Sequence, residues 1–324
     1  MGNILSQLWF FATPSITEKN CPDQTGRVFL VTGGYGGVGF ELCKILYAAN
    51  ATVWIAGRSE SKAEAAITTI RSAAPKSKGQ IEFLQIDLSD LTTVKPAAEK
   101  FLAQVSRLDV LVNNAAVMFP AAGSVDSHGN ELQMGTNCLG PYLLHEFLSP
   151  LLTKTAANSP AGSVRVAWAS SISIFIAVPK GGIAIDADGK PTDQGVKKNY
   201  GQTKAGNVFF ARLFAKQTPE TGVVHVSFNP GNLRTNLQRH WEGLDRWMVD
   251  KFMLLPPIFG AYTELWAAIA PEITTEKSGA YVYPWGRIGA IPAEIEASMK
   301  GTGSGPGVSD KWINWCVNRT KEYK

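Results

Sequence analysis

Short β-branched apolar runs alternate with longer helical patterns between residues 27 and 283 of this sequence. Such alternation is typical of parallel strands joined by crossover helices, because each parallel connection must cross back over the sheet. Strands are predicted at residues 28–32, 52–56, 81–85, 110–112, 164–169, 223–228 and 280–283. The sequence therefore predicts an α/β fold with a doubly wound parallel sheet of about seven strands, the Rossmann fold.

This pattern is continuous and predicts a single domain over residues 27–290. An N-terminal arm, residues 1–26, precedes the domain, and a C-terminal helical tail, residues 291–324, follows it. Glycines in the stretch 299–307 indicate a flexible connection to a last helix around residues 312–316. Within the domain, helices are predicted at residues 61–74 and 91–105, the second with Asp90 as its N-cap.

Composition excludes several classes of function. The chain is 45% hydrophobic and 18% charged, which suits a large core, and no segment approaches the roughly 20 apolar residues of a membrane span. Its net charge of +4 comes without a basic run, so nucleic acid is not an expected partner. The four cysteines are scattered and form no C-x-x-C pair, which predicts no metal site, no disulfide framework and a reducing compartment, the cytoplasm.

A glycine-rich turn, T-G-G-Y-G-G-V-G, follows the first predicted strand and precedes a helical pattern. Glycines permit a tight turn and a close approach of the backbone to a pyrophosphate, whose charge then lies at the helix N-terminus. The alternative is a turn that is only structural. The turn therefore predicts a dinucleotide site formed by Thr32, Gly33, Gly37, Val38 and Gly39.

The ends of the next three strands carry residues that could bind the rest of the nucleotide. Arg58 follows the second strand, where a carboxylate would bind the ribose of NAD, and an arginine there pairs with the 2′-phosphate of NADP. A solvated charge at a helix start is the alternative for Arg58. Asp87 and Leu88 are placed to flank the adenine, and small residues in N-N-A-A, including Asn114 and Ala115, let the backbone lie against the cofactor.

Tyr200 and Lys204 lie four residues apart in the segment N-Y-G-Q-T-K-A-G. Four residues are about one helical turn, so the phenol and the ammonium are predicted on the same face of a helix. Lowering a phenol pKa from about 10 to about 7 takes about 4 kcal/mol, which a nearby cation can supply. The pair therefore predicts a proton donor and its electrostatic partner.

In this order, T-G-x-x-x-G-x-G, N-N-A-A, a serine after the fifth strand, Y-x-x-x-K and P-G-x-x-x-T resemble the short-chain dehydrogenase/reductase family over residues 27–290. The retinol-dehydrogenase-like and fungal secondary-metabolism branches are the most similar. The resemblance implies that Tyr200 is the general acid and that Lys204 supports it and binds the nicotinamide ribose. It also implies that Ser171 holds the substrate carbonyl, with Ser170 and Ser173 as competing assignments.

The same resemblance assigns three further features of the site. Asn137 would hold a water of the proton relay, and its alternative is a polar helix residue bonded to backbone. Pro230, Gly231 and Thr235 would close over the nicotinamide. Gly36 stands where many NADP-dependent members carry a second basic residue, which weakens the preference for NADP.

Two segments depart from the compact family pattern. Ser171 and Tyr200 are 29 positions apart, a longer spacing than in compact members, and the insert between them is either functional or a surface excursion. Residues 232–262 correspond to the substrate lid, whose aromatic and Met content suits a bulky apolar ligand. An amphipathic helix facing the core is the alternative for these lid residues: Trp241, Trp247, Met248, Phe252, Met253 and Leu254.

The N-terminal sequence M-G-N-I-L-S fits the pattern for myristoylation of Gly2, and Trp9, Phe10 and Phe11 suit a membrane interface beside an acyl chain. This interpretation predicts peripheral membrane contact. The alternative is an ordinary arm that packs on the domain or hangs loose. The sequence does not decide whether the chain forms a homodimer. Members of the family often pair through the helix that contains the catalytic tyrosine, but relatives with N-terminal arms need not do so.

The sequence thus predicts an NADP(H)-dependent oxidoreductase. Its substrate would be a ketone or aldehyde of a bulky apolar compound of polyketide, terpenoid, steroid or lipid type, reduced to an alcohol or formed in the reverse direction. Two alternatives belong to other classes: a non-redox biosynthetic enzyme such as a cyclase, isomerase or dehydratase, and a nucleotide-binding regulatory protein.

Overall fold

A computed structural model describes residues 2–8, 12–234, 254–300 and 306–324. Its sheet has eight strands in the order β3-β2-β1-β4-β5-β6-β7-β8, and the first seven are parallel. The strands are β1 Val28–Thr32, β2 Thr52–Gly57, β3 Gln80–Gln85, β4 Val110–Asn113, β5 Arg165–Ala169, β6 Val224–Phe228, β7 Tyr281–Tyr283 and β8 Arg287–Gly289. The Rossmann prediction is confirmed. Sequence patterning missed the short antiparallel β8, which pairs with β7 in a hairpin.

Helices cover both faces of the sheet. They are α1 Gly2–Leu8, α2 Gly37–Ala48, α3 Glu60–Ala73, α4 Val94–Leu102, α5 Leu132–Met134, α6 Gly140–Ala156, α7 Ser173–Ile176, α8 Val196–Ala215, α9 Thr218–Thr221, α10 Pro257–Ile269, α11 Ala293–Ser298 and α12 Val308–Thr320. A π-helical turn, Gly135–Leu139, joins α5 to α6. The Asp90 carboxylate accepts a hydrogen bond from the Thr92 amide at 3.0 Å and so caps the 3-10 turn Leu91–Thr93, which continues into α4. That helix ends at Leu102, earlier than predicted.

The central strands are buried along their whole length, because helices lie on both sides of them. Every residue of β1, β4, β5 and β6 is buried. One core contains the fully buried Trp168 and Phe209, and the other contains the fully buried Leu42 and Leu265. Each such side chain contributes about 1.5–3 kcal/mol through burial, so the sheet forms a rigid base for the loops at its carboxyl edge.

The C-terminal helix packs onto α8. Trp312 on α12 is fully buried and lies so close to Gly206 that a Cβ there would approach Trp312 Cζ2 to 2.7 Å. Its ring centroid is 5.8 Å from that of Phe210 on α8. The predicted last helix is therefore present and covers one face of α8. The glycine-rich stretch predicted before it lies mostly outside the described residues.

The insert between Ser171 and Tyr200 is packed against the domain. Ile183 in this insert is only 2% exposed. Gly182 lies so close to its neighbours that a Cβ there would meet Ala205 of α8 and Ile295 of α11 at 3.1 and 3.4 Å. The Ser298 hydroxyl donates a hydrogen bond to the Gly181 carbonyl at 2.7 Å. The insert is thus anchored to α8 and to the tail.

Among the residues that the structure describes, no helix is both long enough and apolar enough to span a membrane.

Candidate active site

The glycine turn and the N-N-A-A segment are bonded to each other where the strand order reverses. β1 lies between β2 and β4, so the connections after β1 and β4 diverge at this edge. The Asn114 side-chain amide donates to the Thr32 carbonyl at 2.8 Å, and the Ala115 amide donates to the Thr32 hydroxyl at 3.0 Å. Such a divergence at the carboxyl edge is where ligands bind in open α/β sheets.

The glycines of the turn are required by its backbone and by its packing. Gly33 and Gly37 have φ of +70° and +54°, in the left-handed region that favours glycine. A Cβ on Gly39 would lie 2.6 Å from the Asn114 amide nitrogen and 2.9 Å from the Gly33 carbonyl oxygen. Val38, by contrast, is nearly buried, at 9% exposure. Part of the motif is therefore structural.

The N-terminus of α2 fits an anion such as a pyrophosphate. The first backbone N–H groups of an α-helix have no partner within the helix. Gly36 precedes α2 and offers no side-chain cap for these groups. Together with the helix dipole, this leaves a site suited to a phosphate at the end of the glycine turn. The residues present thus fit a dinucleotide.

The predicted adenine-side residues lie at the ends of β2 and β3. Arg58 is exposed and forms no hydrogen bond or ion pair with any residue that the structure describes. Asp87 is already engaged, since its Oδ1 accepts hydrogen bonds from the amide and the hydroxyl of Ser89 at 3.0 and 2.6 Å. Leu88 is 6% exposed, and its carbonyl lies 2.4 Å from the position of a Cβ on Gly140. Arg58 is the residue of this set that is free to contact a phosphate.

Tyr200 and Lys204 lie together on α8, as the sequence predicted. They are 7% and 2% exposed, and the Lys204 Nζ is 5.4 Å from the centroid of the Tyr200 ring. The Lys204 ammonium donates to the Ala169 carbonyl at the end of β5, at 3.0 Å. The Phe119 ring packs edge-on against Tyr200 with its centroid 5.5 Å away. The pair is held between the end of β5 and the loop after β4.

Burial shifts the pKa of both groups toward their neutral forms. It raises the pKa of Tyr200 above its ordinary value, and the polar side chain of Ser171 offsets part of that rise. It lowers the pKa of Lys204 to about 8, against the opposing fields of Cys138 and Glu264. Among the protein's own groups, then, burial dominates the Tyr200 pKa, and the lowering expected from Lys204 does not offset it.

The three candidate serines have different surroundings. The Ser171 side chain lowers the pKa of Tyr200, and its Oγ accepts a hydrogen bond from the Ser173 amide at 3.1 Å. The Ser170 hydroxyl instead donates to the Lys204 carbonyl at 2.9 Å and is buried. The Ser173 hydroxyl is buried without a hydrogen-bond partner among the described residues. Ser171 is the best candidate of the three, because it is the serine that acts on the Tyr200 pKa and the Ser170 hydroxyl is already engaged by the Lys204 carbonyl.

Asn137 lies in the π-helical turn and is 1% exposed. Its Oδ1 accepts from the Val117 amide at 2.8 Å, and its Nδ2 donates to the Val117 carbonyl at 3.0 Å and to the Thr203 hydroxyl at 3.2 Å. The side chain is thus bonded to the protein, as the alternative interpretation expected. A relay water would have to bind near the backbone of this turn, and π-helical turns are frequent at functional sites.

The segment after β6 is enclosed by an aromatic residue that sequence reasoning missed. Gly231 has φ of +92°, and a Cβ there would lie 2.7 Å from the ring of Trp285, which is 3% exposed. Pro230 precedes it and is half-buried. Thr235, and the lid residues predicted between 235 and 253, lie outside the described residues. The P-W-G sequence after β7 was the available signal for Trp285.

Glu264 on α10 is a second feature without a sequence signal. It is fully buried, and neither carboxylate oxygen has a hydrogen-bond partner among the described residues. Burial raises its pKa to about 8, although the Lys204 charge opposes this. A lone glutamate in a helical pattern normally indicates a solvated position. The described residues contain no cluster of three or more His, Cys, Asp or Glu side chains that could hold a metal ion.

Comparison with known proteins gives consistent results. The family described as short chain dehydrogenase matches residues 27–172. A short-chain dehydrogenase/reductase of Phomopsis amygdali is 40% identical, with 99% of this chain and 98% of the relative covered. The short-chain dehydrogenase/reductase pkfC of Emericella nidulans is 39% identical, with 96% and 97% covered.

The fold comparison agrees with these sequence matches. The Pseudomonas aeruginosa RhlG structure, an active-site complex with NADP, superposes with a TM-score of 0.62 at 24% identity and covers 80% of this chain and 94% of that one. At 24% identity, this structural similarity supports the shared fold alone.

Proposed function

The chain belongs to the short-chain dehydrogenase/reductase family, and we propose that it is an NADP(H)-dependent oxidoreductase that reduces a ketone or aldehyde of a bulky apolar substrate. The proposal rests chiefly on the position of Lys204, whose Nζ lies 5.4 Å from the centroid of the Tyr200 ring on the same face of α8. This pair lies at the carboxyl edge of the sheet, which also bears the glycine turn.

The roles of the side chains follow from their chemistry. NADP(H), when bound at this edge, would supply the hydride for the carbonyl carbon. The Tyr200 hydroxyl donates its proton to the carbonyl oxygen, and the Ser171 hydroxyl hydrogen-bonds to the same oxygen and orients it. Lys204 is held at Ala169 and places a positive charge near the phenolate that forms. The Asn137 side chain accepts a hydrogen bond from the Val117 amide and so holds the loop after β4 in place at the side of the same cleft.

The nucleotide is assigned to the carboxyl edge of β1 to β4 and β6. The turn residues Thr32, Gly33, Gly37, Val38 and Gly39 hold the pyrophosphate. Asp87, Leu88, Asn114 and Ala115 line the adenosine side, and Pro230, Gly231 and Thr235 close over the nicotinamide. Arg58 is exposed and has no partner among the residues that the structure describes, which supports NADP over NAD, since a guanidinium binds a phosphate bidentately.

An apolar substrate is supported by the side chains at the rim of the site. Phe119 contacts the Tyr200 ring directly. Ile176 on α7, a few residues after Ser171, is a large aliphatic side chain that is 64% exposed. Such side chains lose contact with water when an apolar ligand binds next to the tyrosine.

NADPH oxidation with a panel of apolar ketones and aldehydes tests this function. We expect turnover by the wild-type protein and a loss of several orders of magnitude in Tyr200→Phe, which removes only the hydroxyl. Tyr142→Phe is the matched control, because Tyr142 is equally buried but lies on α6. Turnover of a substrate without consumption of nicotinamide would favour a cyclase or isomerase, and nucleotide binding without any turnover would favour a regulatory protein.

A further inference from the structure

The N-terminal helix α1 is bonded to the carboxyl edge of the sheet. It has only seven residues, fewer than an isolated helix needs to be stable in water. Arg287 of β8 donates from Nη2 to the Ser6 carbonyl at 2.6 Å, which satisfies one of the free carbonyls at the end of the helix. The Asn229 Nδ2 donates to the Gln7 Oε1 at 2.9 Å. Tertiary contacts therefore hold this helix.

Gln7 is the most enclosed residue of this contact, because its side chain is 0% exposed. A fully buried amide is stable only where its polar atoms are bonded. The partner, Asn229, is itself 1% exposed. The hydrogen bond between these two side-chain amides thus lies in the interior of the protein, although Gln7 and Asn229 are 222 positions apart in the sequence.

Asn229 connects this bond to the segment that follows β6. Its backbone amide donates to the Val282 carbonyl of β7 at 2.8 Å, and its Oδ1 accepts from the Gly231 amide at 3.0 Å. The Asn229 side chain is therefore bonded at both of its polar atoms: its Nδ2 donates to Gln7, and its Oδ1 accepts from Gly231. With the nitrogen held by Gln7, the oxygen points at Gly231, whose other side is covered by Trp285.

We propose that Gln7 is a positioning residue for the segment 229–231, and that α1 is part of the active-site wall. The inference rests on the proposed function, which assigns Pro230 and Gly231 to the nicotinamide. Gln7 acts through Asn229 and does not touch the reacting atoms. Without its acceptor oxygen, the Asn229 amide is free to rotate, and the Gly231 amide loses the partner that holds the turn.

Gln7→Met tests this role, because methionine keeps the length and volume of the side chain and removes its acceptor. The expected result is a roughly tenfold higher Kd for NADPH, the effect of losing about one hydrogen bond. Hydrogen exchange of the Gly231 amide should become faster in the same variant, without any added nucleotide. Should Gln7→Met not fold, Gln7→Asn makes the same test, since its oxygen is one methylene too short to reach Asn229.

Gln24→Met is the matched control. Gln24 is likewise a buried arm glutamine, at 3% exposure, and is bonded through its amide to Pro22 and Arg27 at 2.9 and 2.7 Å. It precedes β1, at the opposite edge of the sheet from Gly231. Its replacement should lower the melting temperature while leaving the Kd for NADPH and the exchange of Gly231 unchanged.

The outcomes separate this inference from the proposed function. A Gln7→Met protein with wild-type NADPH affinity and wild-type exchange at Gly231 would overturn the positioning role alone. Equal effects of Gln7→Met and Gln24→Met on affinity would also overturn it, because they would indicate a general loss of stability. A wild-type protein that binds neither NADPH nor NADH would overturn the proposed function and this inference with it.

Discussion

The proposed chemistry depends on how burial acts on a few side chains. Tyr200 and Lys204 are both removed from water, and each pKa moves toward the neutral form. Because burial raises the Tyr200 pKa, the protein's own groups keep the phenol protonated, as a general acid requires. Burial also disfavours the charged form of Lys204, although the charged ammonium is the form that its proposed role requires.

Lys204 therefore predicts an alkaline limit to activity. Its pKa is lowered to about 8, so the ammonium is present below that pH and is lost as the pH rises through it. The kcat/KM for the carbonyl substrate should fall above about pH 8, since this quantity reports groups of the free enzyme. Lys204→Arg keeps the charge at high pH and should remove this limb, at reduced activity. A flat wild-type profile up to pH 10 would contradict the role.

Arg58 predicts the choice of nucleotide. Its replacement by alanine removes a charge-assisted hydrogen bond worth about 1.5–3 kcal/mol, which corresponds to a loss of roughly 10- to 100-fold in affinity for NADPH. Affinity for NADH, which lacks the 2′-phosphate, should hardly change. Titration of both nucleotides against wild type and Arg58→Ala measures this. Equal effects on the two would mean that Arg58 is only a solvated charge.

Among the elements, α8 carries the catalytic pair on one face and packs the C-terminal helix on another. Gly206 and Phe210 form the surface that receives Trp312. The tail therefore covers this face of α8. The packing of this tail should therefore stabilise α8, the helix that holds Tyr200 and Lys204.

Trp312→Ala tests this packing. Removing a fully buried tryptophan should lower the free energy of unfolding by about 3–5 kcal/mol, measured by urea denaturation. Trp315→Ala is the control, since Trp315 is half-buried on the same helix and should cost much less. Equal losses for the two variants would show that α12 is not docked through Trp312.

Local sequence signals predicted most elements but not the contacts between distant ones. The first strand was predicted at its observed bounds and the others to within one residue at either end, because runs of buried β-branched residues are local. β8 was missed because three residues carry too little periodicity. Tyr200, Lys204 and the glycine turn carried motif signals, whereas Gln7, Trp285 and Glu264 acquire their surroundings only when the chain folds.

At the scale of the whole molecule, two buried histidines link stability to pH. His145 on α6 and His225 on β6 are 3% and 4% exposed, with ring centroids 5.2 Å apart. Burial lowers the pKa of His145 to about 4, against the field of Glu146, and holds that of His225 well below its ordinary value. Both rings are therefore neutral in the folded protein near neutral pH.

These histidines predict acid sensitivity with a definite window. The unfolded chain takes up protons at a histidine pKa near 6.5, and the folded chain does so at His145 only near 4, so stability falls as the pH drops between these values. At pH 5, protonation of His145 alone should lower the free energy of unfolding by about 2 kcal/mol relative to pH above 7. Urea denaturation at several pH values measures the loss. His145→Gln should show a smaller dependence, and an unchanged one would contradict the assignment.

Hydride transfer is tested most directly by following an isotope label from the nucleotide to the product. With NADPH that carries deuterium at the transferred position of nicotinamide C4, the account predicts an alcohol labelled at the carbon that was the carbonyl. The labelling rate should fall by orders of magnitude in Tyr200→Phe and stay normal in Tyr142→Phe. Product formed at the wild-type rate without deuterium, or labelled equally fast by Tyr200→Phe, would contradict the account.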